Sequence, residues 1–115
     1  MGKQGKAKCN MVTERRIGIF NVRYNLFENN PESVIKAMDR ILVISAAYVA
    51  EKDVVQYIAY CDEFNSIQNE DYPLYSITCV VDGNTGDFKR RTIDRVIDYT
   101  APINFKGNEI HIRLD

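Results

Sequence analysis

The sequence predicts an α+β domain: a mostly antiparallel, twisted sheet of about six strands with one short helix packed on one face, in the order β-α-β-β-β-β-β. Three observations predict it. Between Arg40 and Ile97 two stretches rich in β-branched and aromatic residues each divide at a turn, which makes two consecutive hairpins. Ahead of them an alternating segment runs into a short helical one opened by Asn30-Pro31. Behind them Ile110, Ile112 and Leu114 alternate with His111 and Arg113.

Taken in order, residues 1–13 are small, polar and basic and read as a flexible arm. Residues 14–115 then form a single domain. Arg16 to Phe27 alternates as a first strand, with Phe20, Val22, Tyr24 and Leu26 turned inward. Glu28-Asn29-Asn30-Pro31 ends it. Asn30 is placed to cap a helix from Pro31 to Asp39, whose inward stripe is Val34, Ile35 and Met38. The boundary at Arg40 has two readings, since Val34, Met38, Ile41, Leu42 and Ser45 also fit one long helix. The run Ile41-Leu42-Val43-Ile44 is apolar on both sides and favours a central strand covered by the helix.

The first hairpin is therefore Ile41–Ala50, a turn at Glu51-Lys52, and Asp53–Cys61. A long polar loop, Asp62 to Tyr72, leads through Pro73 into the second. This runs from Leu74 to Val81, turns at Asp82-Gly83-Asn84-Thr85-Gly86-Asp87, and returns from Phe88 to Ile97. The turn glycines supply positive φ and its Asp and Asn side chains cap backbone groups. Tyr99 to Phe105 is a connection, and Lys106-Gly107-Asn108 turns into the last strand.

Composition narrows the functional classes. A chain of 115 residues builds one modest core, and 45% hydrophobic with 27% charged residues belongs to an ordinary globular protein. The net charge of −1 attracts neither nucleic acid nor an anionic membrane as a whole. Residues 1–16 hold five basic residues against Glu14 alone, a local +4, so the remainder carries −5. No apolar run approaches the roughly 20 residues of a membrane span, and the start of the chain has no apolar signal core. Cys9, Cys61 and Cys79 are odd in number and not closely spaced, which suits a reducing, cytoplasmic setting. An open sheet in so short a chain also predicts a dimer, formed at the edge of the first or last strand.

Catalytic, metal and cofactor chemistry find no foothold. His111 is the one histidine, and no cysteine or histidine pair has ligand spacing. No serine lies in a nucleophile-elbow pattern, and Gly83 and Gly86 belong to a hairpin rather than a phosphate loop. We read no enzyme here. Two charged clusters remain. Asp62, Glu63, Phe64, Glu70 and Asp71 form an acidic stretch suited to a partner-facing surface. Lys89, Arg91 and Arg95 fall on one face of the Phe88–Ile97 strand, with Arg90 opposite, and suit an anion or nucleic acid.

The run Tyr57-Ile58-Ala59-Tyr60-Cys61-Asp62-Glu63-Phe64, the acidic stretch and the strand entry Pro73-Leu74-Tyr75 carry a resemblance. Over about residues 40–90, the chain resembles short accessory proteins of tailed phages and prophages. The resemblance implies a setting, a small accessory factor in a bacterial host cytoplasm, and no activity. The first expectation is thus a non-enzymatic binding protein that engages and inhibits a host protein, such as a defence component, through the acidic stretch. The alternative is a nucleic-acid or nucleotide binder that uses the basic arm and the Lys89–Arg95 strand.

Overall fold

A computed structural model describes residues 15–67, 71–96 and 107–115. The expected arm at 1–13, the connection from Tyr99 to Phe105, and Glu70 and Ile97 lie outside the described residues. The chain is α+β: the described residues form a six-stranded open mixed sheet, mostly antiparallel, with two short helices. Its elements are β1 (Ile17–Arg23), α1 (Leu26–Asn29), α2 (Pro31–Ala37), β2 (Leu42–Val49), β3 (Val54–Tyr60), β4 (Leu74–Asp82), β5 (Phe88–Arg95) and β6 (Glu109–Arg113). The strand order is β2-β3-β1-β4-β5, and β6 pairs with β4. Both predicted hairpins, β2–β3 and β4–β5, are present.

β1 is shorter than its alternation suggested. It pairs antiparallel with β3 from Ile17 to Arg23 and parallel with β4 at Ile19 and Phe20 only. Beyond Phe20 the β6 end takes the place beside β4. The Leu114 amide donates to the Ile77 carbonyl, and the Arg23 amide donates to the Leu114 carbonyl. Tyr24 and Asn25 then turn the chain into the one-turn helix α1. Its Leu26 is buried, while Tyr24 is 45% exposed. Since β1 lies between β3 and β4, it is not the free edge expected for self-association.

Asn30 separates the helices at φ −139, ψ 53, and its side chain makes no cap bond. Pro31, which has no amide hydrogen, occupies the first turn of α2 as predicted. The inward stripe is Val34, Ala37 and the half-buried Met38; Ile35, expected inward, is 70% exposed. Positions 34, 37 and 38 share one helical face, and 35 lies outside it. The α2 helix packs over β4 and β5. It stops because Arg40 takes positive φ (63°), which turns the backbone out of the helix and lets Ile41 lead into β2.

The core lies on the helix-bearing face of the sheet. Phe20, Val22, Ala59, Cys61, Tyr75, Ile77, Cys79 and Val81 meet Leu26, Val34 and Ala37 from the helices, with Phe64 and Leu114 at the ends. Cys61 and Cys79 are free thiols within it, and burial pushes both thiol pKa values up. One expectation fails on β2. It is an edge strand, and every residue from Leu42 to Tyr48 is exposed. Its two-sided apolar pattern fits burial in a sheet centre, yet among the described residues no helix covers it.

Candidate functional site

The acidic stretch leaves β3 in a turn closed by the Phe64 amide donating to the Cys61 carbonyl, 3.0 Å. Arg16 Nη1 donates to the Phe64 carbonyl at 2.8 Å. Phe64 is 1% exposed and stacks on Tyr75 with ring centroids 4.3 Å apart and 11° between planes. The phenol of Tyr75 accepts the Asn65 amide hydrogen at 2.7 Å and lies 3.2 Å from Asn65 Oδ1. Gly18 makes room for this stack: a Cβ there would fall 2.5 Å from Tyr75 Cε2. Phe64 is therefore a core residue, not the partner-facing one expected, because the loop folds its ring back over the sheet. Of the carboxylates, Asp62 accepts from Tyr60 Oη at 3.0 Å, and Asp71 is exposed. Glu63 turns toward Arg91.

Arg91 joins three parts of the fold. It projects from β5 opposite Cys79 and is 11% exposed at the side chain. Its Nη2 and Nε donate to Glu63 Oε2 at 2.6 and 3.2 Å. Its Nη1 donates to the Ala37 carbonyl at 2.9 Å and also to the Asp39 carbonyl. These carbonyls lie where α2 ends and have no helical amide ahead of them, so the guanidinium caps the helix and meets its negative dipole end. Beside it is a cleft of about 290 Å³ lined by Lys36, Asp39, Arg40, Glu63, Phe88 and Arg91. Two of its charged lining groups, Arg91 and Glu63, are already bonded to each other.

The basic strand is not one row. β5 has a bulge: Val81 faces Phe88 and Val80 faces Arg90, so Lys89 has no residue opposite. The extra residue shifts the alternation. Lys89, expected beside Arg91, instead joins Arg90 at Glu109. Lys89 Nζ is 3.1 Å from Glu109 Oε2, and Arg90 reaches the two carboxylate oxygens at 2.8 and 3.1 Å. His111 Nε2 lies 3.3 Å from Oε1. The Glu109 side chain is only 4% exposed. Arg90 first, then Lys89, hold its carboxyl far below the usual carboxylate range. Arg95 lies over the Tyr75 ring, 5.8 Å from its centroid. Arg91 and Lys89 are thus each occupied by a carboxylate, and Arg95 by an aromatic face.

The surface that sequence reasoning missed is β2. Leu42 is 67% exposed, Val43 40%, Ile44 56% and Tyr48 54%. Tyr48 is held by Tyr24, edge to face at 5.3 Å, and donates its hydroxyl to Asp53 Oδ1 at 2.8 Å. The strand has no charged residue and no proline from Ile41 to Ala50. Edge strands ordinarily carry such residues to block unwanted pairing. β5, the opposite edge, carries Lys89, Arg90, Arg91, Asp94 and Arg95. The lack of charge and proline in Ile41–Ala50 is visible in the sequence, where such an apolar run equally fits a buried strand.

Among the described residues no three histidine, cysteine, aspartate or glutamate side chains group to hold a metal ion. None of their helices is long and apolar enough to cross a membrane. No protein-family model, curated protein or solved structure matches the chain.

Proposed function

We propose that this chain is a small, non-enzymatic binding protein whose binding element is the outer edge of β2. The observation that supports this reading is an uncharged, apolar strand of eight residues, exposed on both faces at the end of a sheet. Such an edge offers a row of unpaired backbone donors and acceptors to a strand supplied by another chain, with apolar side chains beside them for selectivity. In the setting the phage resemblance implies, the partner is a protein of the bacterial host cytoplasm, and binding inhibits it by occupying its surface. The acidic stretch plays a lesser part than expected, since Phe64 is core and Glu63 is bonded to Arg91.

The nucleic-acid reading keeps the basic arm, which lies outside the described residues, but has less support from the strand. Lys89, Arg91 and Arg95 do not form one open row, and two of them are already paired with carboxylates. The test uses a nuclease-treated bacterial lysate and the tagged chain. Wild type should retain a specific protein, and Ile44→Lys, which places a charge on the exposed edge, should release it. Retention unaffected by Ile44→Lys would remove β2 from the interaction. A fluorescent oligonucleotide bound below micromolar concentration at low salt, and lost in Arg95→Ala, would favour the nucleic-acid reading instead.

A further inference from the structure

We infer that Tyr24, Phe27, Tyr48 and Asp53 form a site for a methylated ammonium group. The site is built from side chains at one corner of the fold, and it does not depend on the reading of β2 as a binding edge. Among the described residues the exposed tyrosines are Tyr24 and Tyr48, at 45% and 54%, and the two are in contact. Tyr24 meets Tyr48 edge to face at 75°, with ring centroids 5.3 Å apart, and meets Phe27 at 66° and 6.1 Å. Phe27 is half-buried and packs against the core, which fixes its end of the group.

Hydrogen bonds hold the arrangement before any ligand arrives. The Phe27 amide donates to the Tyr24 carbonyl at 3.1 Å, and the Tyr24 amide donates to the Asp53 carbonyl at 2.9 Å. The Tyr48 hydroxyl donates to Asp53 Oδ1 at 2.8 Å. Asp53 thus ties both tyrosines to the β2–β3 turn and sets a carboxylate at the rim of their rings. Its Oδ2 has no hydrogen bond or ion pair among the described residues.

The chemistry of the group selects the ligand. Aromatic faces carry the negative part of the ring quadrupole and attract a cation, and the Asp53 carboxylate adds a full negative charge. The chain does not satisfy these rings itself. Arg23 is turned away to the Arg113 carbonyl, and among the described residues the cation over a ring is Arg95, on Tyr75. A flat guanidinium stacks on one face, whereas rings at 66° and 75° to each other make a corner that suits a rounded cation. An unmethylated ammonium is strongly hydrated and gives up more on leaving water. A methylated ammonium is rounded, charged and weakly hydrated. A methylated lysine of another protein and a free quaternary amine present the same head.

Titration of tetramethylammonium chloride into the full chain at constant ionic strength, followed by NMR of the ring protons, tests this. The Tyr24, Phe27 and Tyr48 signals should move together in the millimolar range, and sodium chloride should leave them in place. Tyr24→Leu and Tyr48→Leu should each weaken binding about fivefold, the worth of one exposed cation–ring contact. Tyr24→Phe, which keeps the ring, should bind as wild type does. Asp53→Asn should weaken binding about threefold; Asn tolerates the positive φ of this position (53°) and still accepts the Tyr48 hydroxyl. One comparison needs no substitution: choline should bind about tenfold more tightly than dimethylbutanol, its neutral carbon isostere. Ring signals unmoved at about 100 mM tetramethylammonium overturn the site. So does equal binding of choline and its isostere, or binding that survives both leucine variants. A trimethyl-lysine peptide that binds more tightly than choline upholds the site and assigns its ligand to a protein. The reverse order upholds it and assigns a small molecule.

Discussion

Arg91 and Glu63 are bonded at 2.6 Å, and the same guanidinium caps the carbonyl end of α2. Through this one side chain, β5, the turn after β3 and the helix are held together. The two residues do not carry equal weight. Arg91 is nearly buried, whereas Glu63 is 51% exposed, and an exposed carboxylate contributes little through its charge alone. Arg91→Ala leaves the Ala37 and Asp39 carbonyls without this donor and Glu63 unpaired, at a cost of about 2 kcal/mol. Glu63→Gln keeps the helix cap and should cost under about 1 kcal/mol. Urea denaturation of both variants checks the order. Equal losses would mean that the helix cap contributes nothing.

The fold class, both hairpins and the Pro31 start of the helix were legible in the sequence. Each depends on local signals: β-branched runs, turn residues and a proline with no amide hydrogen to lose. The site was less legible, because its geometry depends on features with no local signature. The bulge that removes Lys89 from the Arg91 face is an offset between two strands, and one strand's sequence does not encode it. The burial of Phe64 requires the space above Gly18, which lies far away in the chain. For β2, the same apolar run fits a strand covered on both faces or one left bare. Only the strand order, with β1 inserted between β3 and β4, decides that it is bare.

The corrected helix face can be tested with two neighbouring residues. Val34 is 3% exposed against the sheet, and Ile35 is 70% exposed. Val34→Asp buries an unpaired carboxylate and should lower stability by several kcal/mol, on the order of 3 or more. Ile35→Asp should change it by about 0.5 kcal/mol or less. Thermal melts followed by circular dichroism distinguish them, and similar losses in both variants would reject the helix orientation.

The two glycines of the β4–β5 turn do different work. Both were expected to supply positive φ, but only Gly86 does so, at +76°. Gly86 has open space around it, so Gly86→Asn should be nearly neutral and Gly86→Ala should cost about 1 kcal/mol. Gly83 is needed for close approach. Its amide donates to the Asn108 carbonyl, and a Cβ would lie 2.5 Å from that oxygen. Gly83→Ala should therefore push the turn away from the start of β6 and cost more than Gly86→Ala. Amide exchange should quicken at Asp82 and at the β6 residues that pair with β4, which a purely local turn defect would leave protected.

Acid should act on the far side of the sheet, at Glu109. Its carboxyl is depressed from the ordinary value of 4.5, most of all by Arg90, then by Lys89. Asp82 is depressed as well, by the amides of Thr85 and Asn84 that donate to it. The sign follows from the ionised form being favoured in the folded state. The stabilisation is fully present above the unfolded-state value, and it is lost progressively as pH falls from there toward the folded-state value. Wild type should thus be more stable than Glu109→Gln at pH 7, and the gap should narrow as pH falls below about 4.5. Above pH 5 the gap should hold steady as far as Glu109 is concerned. Melting temperatures of both proteins from pH 7 down to pH 2 give the comparison. A constant difference across that range would show that the cluster of Lys89, Arg90 and His111 around Glu109 stabilises the fold by packing rather than by charge.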